Sequence, residues 1–217
     1  MNTIVVSRRF KYAVVLAILI ACSSPVSAER KILQNDSFTG TAVFTQLAAF
    51  GEQEYAAAVF TADPADYPFR IEKVQALILA PLPGTIALVS VTVWDDVGTL
   101  APGPVLSNST YGYQVESSDT ALNELDLSCE SVIVSEGPIR VGLRWEAVGD
   151  TIGIAFDLDG YVPMINTVYS APLGGWFFAE HLLVTGDWIL RIEIETGVTE
   201  DTVFSDSFER GDQSCWQ

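Results

Sequence analysis

Histidine is almost missing from this 217-residue chain; His181 is the only one. Without a second imidazole, and with no partner at ligand spacing for Cys129 or Cys215, a zinc centre of the usual kind has nothing to be built from. A Ser-His-Asp triad would have to use His181 as its base, and no G-x-S-x-G elbow accompanies it. His181 therefore reads as a surface or loop residue. Cations are scarce as well: 11 Lys and Arg stand against 28 Asp and Glu, a formal net charge of −17. That balance argues against nucleic acid and anionic membranes as partners, because both are held by Lys and Arg that neutralise phosphate. There is no clear internal repeat, no long low-complexity segment and no convincing amphipathic helix.

What is present starts at the N-terminus. Arg8, Arg9 and Lys11 precede an apolar run over 12–21, and Val26-Ser27-Ala28 follow as a small-residue cleavage site. A charged, an apolar and a small-residue region in that order read as a bacterial-type secretory signal over 1–28. The run falls short of the roughly 20 apolar residues that span a bilayer. A second processing reading stays open: Leu19-Ile20-Ala21-Cys22 has the form of a lipobox, whose cysteine becomes the lipidated N-terminus of a lipoprotein. Either route places the working domain outside the cytoplasm, secreted or at the cell surface. Removing 1–28 takes three of the 11 basic residues and no acidic one, leaving eight against 28 and a net charge near −20. The remaining 189 or so residues suffice for one domain with its own core. Cys22 is removed or acylated, so Cys129 and Cys215 are left as an even pair in an oxidising compartment. Either they form a bridge that pins the C-terminal tail to the body, or they are two separate thiols.

Strict alternation dominates the body. Ile139, Val141, Leu143 and Trp145 alternate with Arg140, Gly142, Arg144 and Glu146. Ile152, Ile154, Phe156 and Leu158 form a second such set, and Trp188, Leu190, Ile192 and Ile194 a third. Each predicts a strand with one face in a core and one in water. Weaker strand signals cover 42–50, 55–61, 71–79, 86–94, 121–127 and 132–135; those at 71–79 and 86–94 are apolar on both faces, as in central strands. The connections carry breakers such as Pro81-Leu82-Pro83-Gly84 and Pro172-Leu173-Gly174-Gly175. Many short strands with turn signals between them predict an all-β fold, a two-sheet antiparallel β-sandwich of jelly-roll type, over 29–197.

After Gly197 the alternation stops and an acidic tail, 198–217, begins. Phe204, Asp206, Phe208, Glu209, Gly211, Asp212, Ser214 and Trp216 resemble the short F-x-D-G-F-E-S-G-D-x-S-x-W ending of many exported proteins of Gram-negative bacteria. Ser207 and Arg210 depart from that pattern. The resemblance covers about 14 residues and implies a secretion or surface context, with no catalytic residue to carry over.

Candidate chemistry lies in the loops and on strand faces. The Asp157-Leu158-Asp159-Gly160 segment offers hard oxygen ligands for calcium through Asp157 and Asp159. Tyr111, Tyr113, Tyr161, Tyr169 and Trp176 lie in or beside loop-like segments and could form a sugar-stacking platform. Trp145 and Trp188 share the apolar side of their strands and read as core. Glu193 and Glu195 stand about 7 Å apart by strand rise, a spacing that a pair of glycosidase carboxylates could use, although Arg191 beside them marks a solvated outer face. The leading expectation is a non-enzymatic exported surface or interaction module, with an unknown protein or glycan partner at the cell exterior. The alternatives are a carbohydrate-binding module and a sandwich-fold glycoside hydrolase or lyase.

Overall fold

The computed structural model describes residues 28–40, 46–109, 112–147 and 151–198. The segment expected to be a secretory signal, apart from Ala28, and the tail, apart from Val198, lie outside these residues.

Alternating side chains need two layers to bury one face of each strand, and the described residues provide them with antiparallel strands throughout. In chain order these are β1 (Glu29–Gln34), β2 (Gln46–Ala49), β3 (Tyr55–Phe60), β4 (Phe69–Ala76), β5 (Ile78–Leu79), β6 (Ile86–Asp95), β7 (Val105–Asn108) and β8 (Tyr113–Glu116). They continue with β9 (Asn123–Asp126), β10 (Ile133–Val134), β11 (Ile139–Ala147), β12 (Gly153–Phe156), β13 (Asn166–Ser170), β14 (Gly175–Phe178) and β15 (Leu190–Thr196). Helical structure among the described residues is confined to three single 3-10 turns, at Pro64–Asp66, Ser128–Glu130 and Ala179–Leu182.

One sheet has the order β1-β15-β4, with β9 and β10 sharing the far edge of β4. The other runs β14-β13-β3-β11-β6, with β7 and β8 sharing the far edge of β6. Backbone bonds on either side of the Ser128–Glu130 turn, Leu127 N–H to Glu72 and Ile71 N–H to Val132, make β9 and β10 one interrupted strand. Taking each shared edge as one strand, the chain visits the sheets in the order β1, β3, β4, β6, β7/β8, β9/β10, β11, β15. The resulting neighbours, β1-β15-β4-β9 and β3-β11-β6-β8, are those of an eight-stranded jelly roll. Inward residues of both sheets meet in a single core: Phe69, Ile71, Val74, Ile192 and Ile194 from the first, Val89, Val91, Val141, Leu143 and Trp145 from the second.

A third ladder, β2-β12-β5, continues the first sheet. Where β4 and β15 part, β12 enters between their extensions: Ala155 N–H donates to Leu77, Ile189 N–H to Ala155 and Leu77 N–H to Ile189. Gly153 permits this close fit, because a Cβ there would stand 1.8 Å from the Ala48 carbonyl oxygen. Two layers thus stand as expected, built from three hydrogen-bonded ladders. Among the described residues no helix is long and apolar enough to cross a membrane.

Candidate binding face

The core takes alternate residues of the second sheet, so the intervening ones form its outer face, and their register can be followed strand by strand. Trp176 pairs with Tyr169, Tyr169 with Tyr55, Tyr55 with Arg144 and Arg144 with Ser90. This is one continuous row across β14, β13, β3, β11 and β6. The next row, Thr167–Ala57–Gly142–Thr92, carries small side chains. Trp94, from the row beyond, covers it. Its ring centroid lies 5.5 Å from that of Tyr55 and 5.7 Å from that of Trp176, and Tyr169 and Trp176 are 5.6 Å apart. The rings are tilted or edge-on, the arrangement favoured by their quadrupoles. Trp94 is 6% exposed, whereas Tyr55, Tyr169 and Trp176 are half-buried.

Fixed polar groups border the rings. Arg144 Nη2 donates to Glu146 Oε2 at 2.6 Å, and the Ser90 hydroxyl donates to Glu146 Oε1 at 2.5 Å. Bonding to Tyr55 and then to Glu146 raises the Arg144 guanidinium above its ordinary value. Burial pushes the Glu146 carboxyl up, but Ser90 and Arg144 outweigh it and leave it below its usual range. Glu54, next to Tyr55 in the chain, lies on the other side of the sheet from the rings, where it accepts from Gly51 N–H at 2.7 Å, the Ser170 hydroxyl at 3.0 Å and Ala171 N–H at 3.1 Å. Half-exposed ring faces beside anchored donors and acceptors suit a ligand with one apolar face and hydroxyls around its edge.

The loop-borne aromatics of the sequence reading divide. Tyr169 and Trp176 come together here, joined by Tyr55 and Trp94, which the sequence reading had not selected. Tyr113 is elsewhere: its hydroxyl donates to the Asp126 carbonyl at 2.6 Å, its ring packs against the core edge, and burial raises it to about 12. Tyr161 is exposed in the turn after β12, and Tyr111 lies outside the described residues.

The Asp157 carboxylate is engaged by protein donors: Ser37 N–H at 3.0 Å, the Ser37 hydroxyl at 3.4 Å and Asp187 N–H at 2.9 Å. Asp159 is exposed two residues on. Among the described residues no group of three or more His, Cys, Asp or Glu is placed to hold a metal ion. Glu193 and Glu195 lie on the outer face of the first sheet, each held by a guanidinium, Glu193 by Arg30 at 3.2 Å and Glu195 by Arg70 at 2.5 Å. Those pairings make them part of an ion-pair network on that face that also takes in the buried Glu72. Cys129 sits in the turn between β9 and β10 and is disulfide-bonded; Cys22 and Cys215 both lie outside the described residues. His181 is exposed and packs edge-on against Phe178.

Neither a family model nor a curated protein matches the sequence. Among solved structures, a chain of the T13 IBDV viral particle aligns at 8% identity with a TM-score of 0.31, covering 85% of this chain and 43% of that one. A likeness that weak carries no argument, so the fold rests on the strand order and the function on the site.

Proposed function

We propose that this chain is an exported, non-catalytic binding module that uses the outer face of the seven-stranded sheet, and that its ligand is a glycan. The observation that carries the reading is the in-register row Trp176–Tyr169–Tyr55–Arg144. A pyranose presents an apolar face to such rings and hydroxyls to groups such as Arg144 and Glu146. The acidic balance of the chain favours neutral glycans over uronate or sulfated polymers, which it would repel.

The test is a glycan array on residues 29–217, followed by calorimetry on any hit. Trp176→Ala and Tyr169→Ala are each expected to weaken binding by about tenfold or more, one to two stacking contacts' worth. A blank array, or affinity untouched by both substitutions, would overturn the glycan reading. A protein partner is the second reading, favoured by the same Trp, Tyr and Arg side chains, which are the residue types that dominate protein interfaces. A partner lost on Trp176→Ala, with no glycan bound, would establish it.

A further inference from the structure

The rings of the outer face are spaced by their strands but gathered by their side chains. Trp176, Tyr169 and Tyr55 stand in one row on β14, β13 and β3. Neighbouring strands lie about 4.8 Å apart, so side chains pointing straight out would set Trp176 about 10 Å from Tyr55. The observed centroid separation is 5.7 Å, close to the 5.6 Å between Trp176 and Tyr169 and below the 6.1 Å between Tyr169 and Tyr55. The indole thus leans back over the sheet, and the three rings form a triangle rather than a line. Their planes meet at 40°, 59° and 84°, so they share no common plane.

The surroundings confine the site to that triangle. Among the described residues β14 is the edge of the sheet, so the row has no strand beyond Trp176. Phe178, two residues on and on the same face, packs edge-on against His181 at 5.7 Å. Towards β6 the rings give way to Arg144, Glu146 and Ser90. On the third side the buried Trp94 closes the face, and the loop after it is held down where Arg140 donates to the Thr99 and Leu100 carbonyls. The Arg144 and Glu146 side chains keep 32% and 25% of their surface exposed, and each of the three rings is only half-buried. Both the stacking faces and the polar pair beside them therefore meet solvent.

Resting on the glycan reading, we propose that this face takes one sugar ring, the non-reducing terminal residue of a neutral glycan, and not an internal stretch of a polysaccharide. A glycan held along its length needs ring faces that follow one another along a line and face the same way, so that successive sugars stack in turn. Three rings within 6.1 Å of one another, in three different planes, offer a single stacking position. Arg144, on the strand next to Tyr55, and Glu146 beside it supply a donor and an acceptor for the hydroxyls of that same sugar. A terminal sugar leaves its far edge free for such contacts, whereas an internal one is substituted at both ends. The reducing end of a surface glycan is the attached one, which makes the free terminus the non-reducing one.

The test is calorimetry of residues 29–217 against cello-, manno-, xylo-, chito- and β-1,4-galacto-oligosaccharides of one to six units. A series that binds is expected to show a Kd changing by less than about threefold from disaccharide to hexasaccharide, and a 4-O-methyl cap on the non-reducing sugar should weaken binding by about tenfold or more. A Kd that falls about tenfold or more over that range, or a cap that is tolerated, with Trp176→Ala still weakening binding, would overturn the single-sugar inference and leave the glycan reading standing. Binding untouched by both Trp176→Ala and Tyr169→Ala would overturn the two together, and so would the absence of binding in all five series.

Discussion

Trp94 lies flat enough over Gly142 that a Cβ added to that glycine would stand 2.8 Å from Trp94 Cζ3, and 3.0 Å from the Ala57 Cβ. The row of small side chains on β13, β3, β11 and β6 is therefore what lets an indole settle on the outer face and join the exposed rings beside it. The aromatic cluster depends on what is missing beneath it as much as on its own members.

Gly142→Val should consequently expel the indole. Overpacking of this kind costs about 1–3 kcal/mol, and loss of the ring contacts should change the near-UV circular dichroism while the far-UV spectrum stays that of an all-β chain. A variant with both the melting temperature and the near-UV spectrum of the parent would show that Trp94 does not need the gap.

How much of this was legible in sequence follows from where the signal resides. Alternation identified β11, β12 and β15, because each has one face in the core, and the two-sided apolar runs identified β4 and β6 as central strands. The strands β1, β7, β8, β13 and β14 escaped: all but β13 are edge strands, which pair on one side only, Glu29-Arg30-Lys31 carries the charge that suits an edge, and the interior β13, Asn166-Thr167-Val168-Tyr169-Ser170, has polar residues on both faces and so no alternation to read. Alternation also predicted Arg140 and Gly142 in water, whereas both are buried, one beneath a loop and one beneath Trp94. Of the cluster, Tyr169 and Trp176 were found because they flank the Pro172–Gly175 connection. Tyr55 and Trp94 were missed because an aromatic on a strand reads as core, and which face it takes is decided by cross-strand register that one segment cannot reveal.

Arg140 supplies a second prediction. It is 1% exposed, and it clips the loop after β6 to the sheet by donating to the Leu100 carbonyl at 2.7 Å, the Thr99 carbonyl at 2.8 Å and Asp96 Oδ1 at 2.7 Å. Burial lowers its guanidinium below the ordinary value, against the opposing pull of Asp96. Asp96→Ala leaves that charge buried without its counter-ion and should cost about 3–5 kcal/mol. Arg140→Met, which removes the charge while keeping an apolar stem of similar reach, should cost less. Chemical denaturation of the two variants checks the order; Arg140→Met being the more damaging would mean that the carbonyl contacts, rather than the ion pair, hold the loop.

Asp157 and Asp187 predict a pH dependence. Burial raises both carboxyls above the ordinary Asp value, opposed by their backbone and Asn166 hydrogen bonds; the charges of Asp159 and Asp36 add to the shift of Asp157, and those of Asp157 and Asp159 to the shift of Asp187. A carboxyl whose folded value exceeds its unfolded one binds its proton more tightly when folded. As pH rises from the ordinary Asp value through the raised one, the unfolded chain ionises first and this pair's contribution to stability falls; above the raised value the penalty is constant. Carbon-detected carboxyl titration should therefore give both residues midpoints above ordinary Asp. Asp157→Asn should lower the Asp187 midpoint by removing the neighbouring charge. A midpoint for Asp187 that stays put in that variant would assign its shift to burial and Asp159 rather than to Asp157.

Cys129 carries the last prediction. It is disulfide-bonded and lies at the outermost point of the interrupted strand along β4, between Leu127 and Val132. If export removes Cys22, Cys215 is the one remaining partner, and the bond would close a loop of about 85 residues. Loop-closure entropy alone then contributes roughly 4.6 kcal/mol. A non-reducing digest of the mature chain purified from its native host should yield one peptide pair joining Cys129 to Cys215. Cys215→Ser should expose a titratable thiol and lower the melting temperature by about as much as reduction does. A digest with Cys129 joined to Cys22 would overturn both the pairing and the removal of residues 1–28, because the two readings stand on the same cleavage.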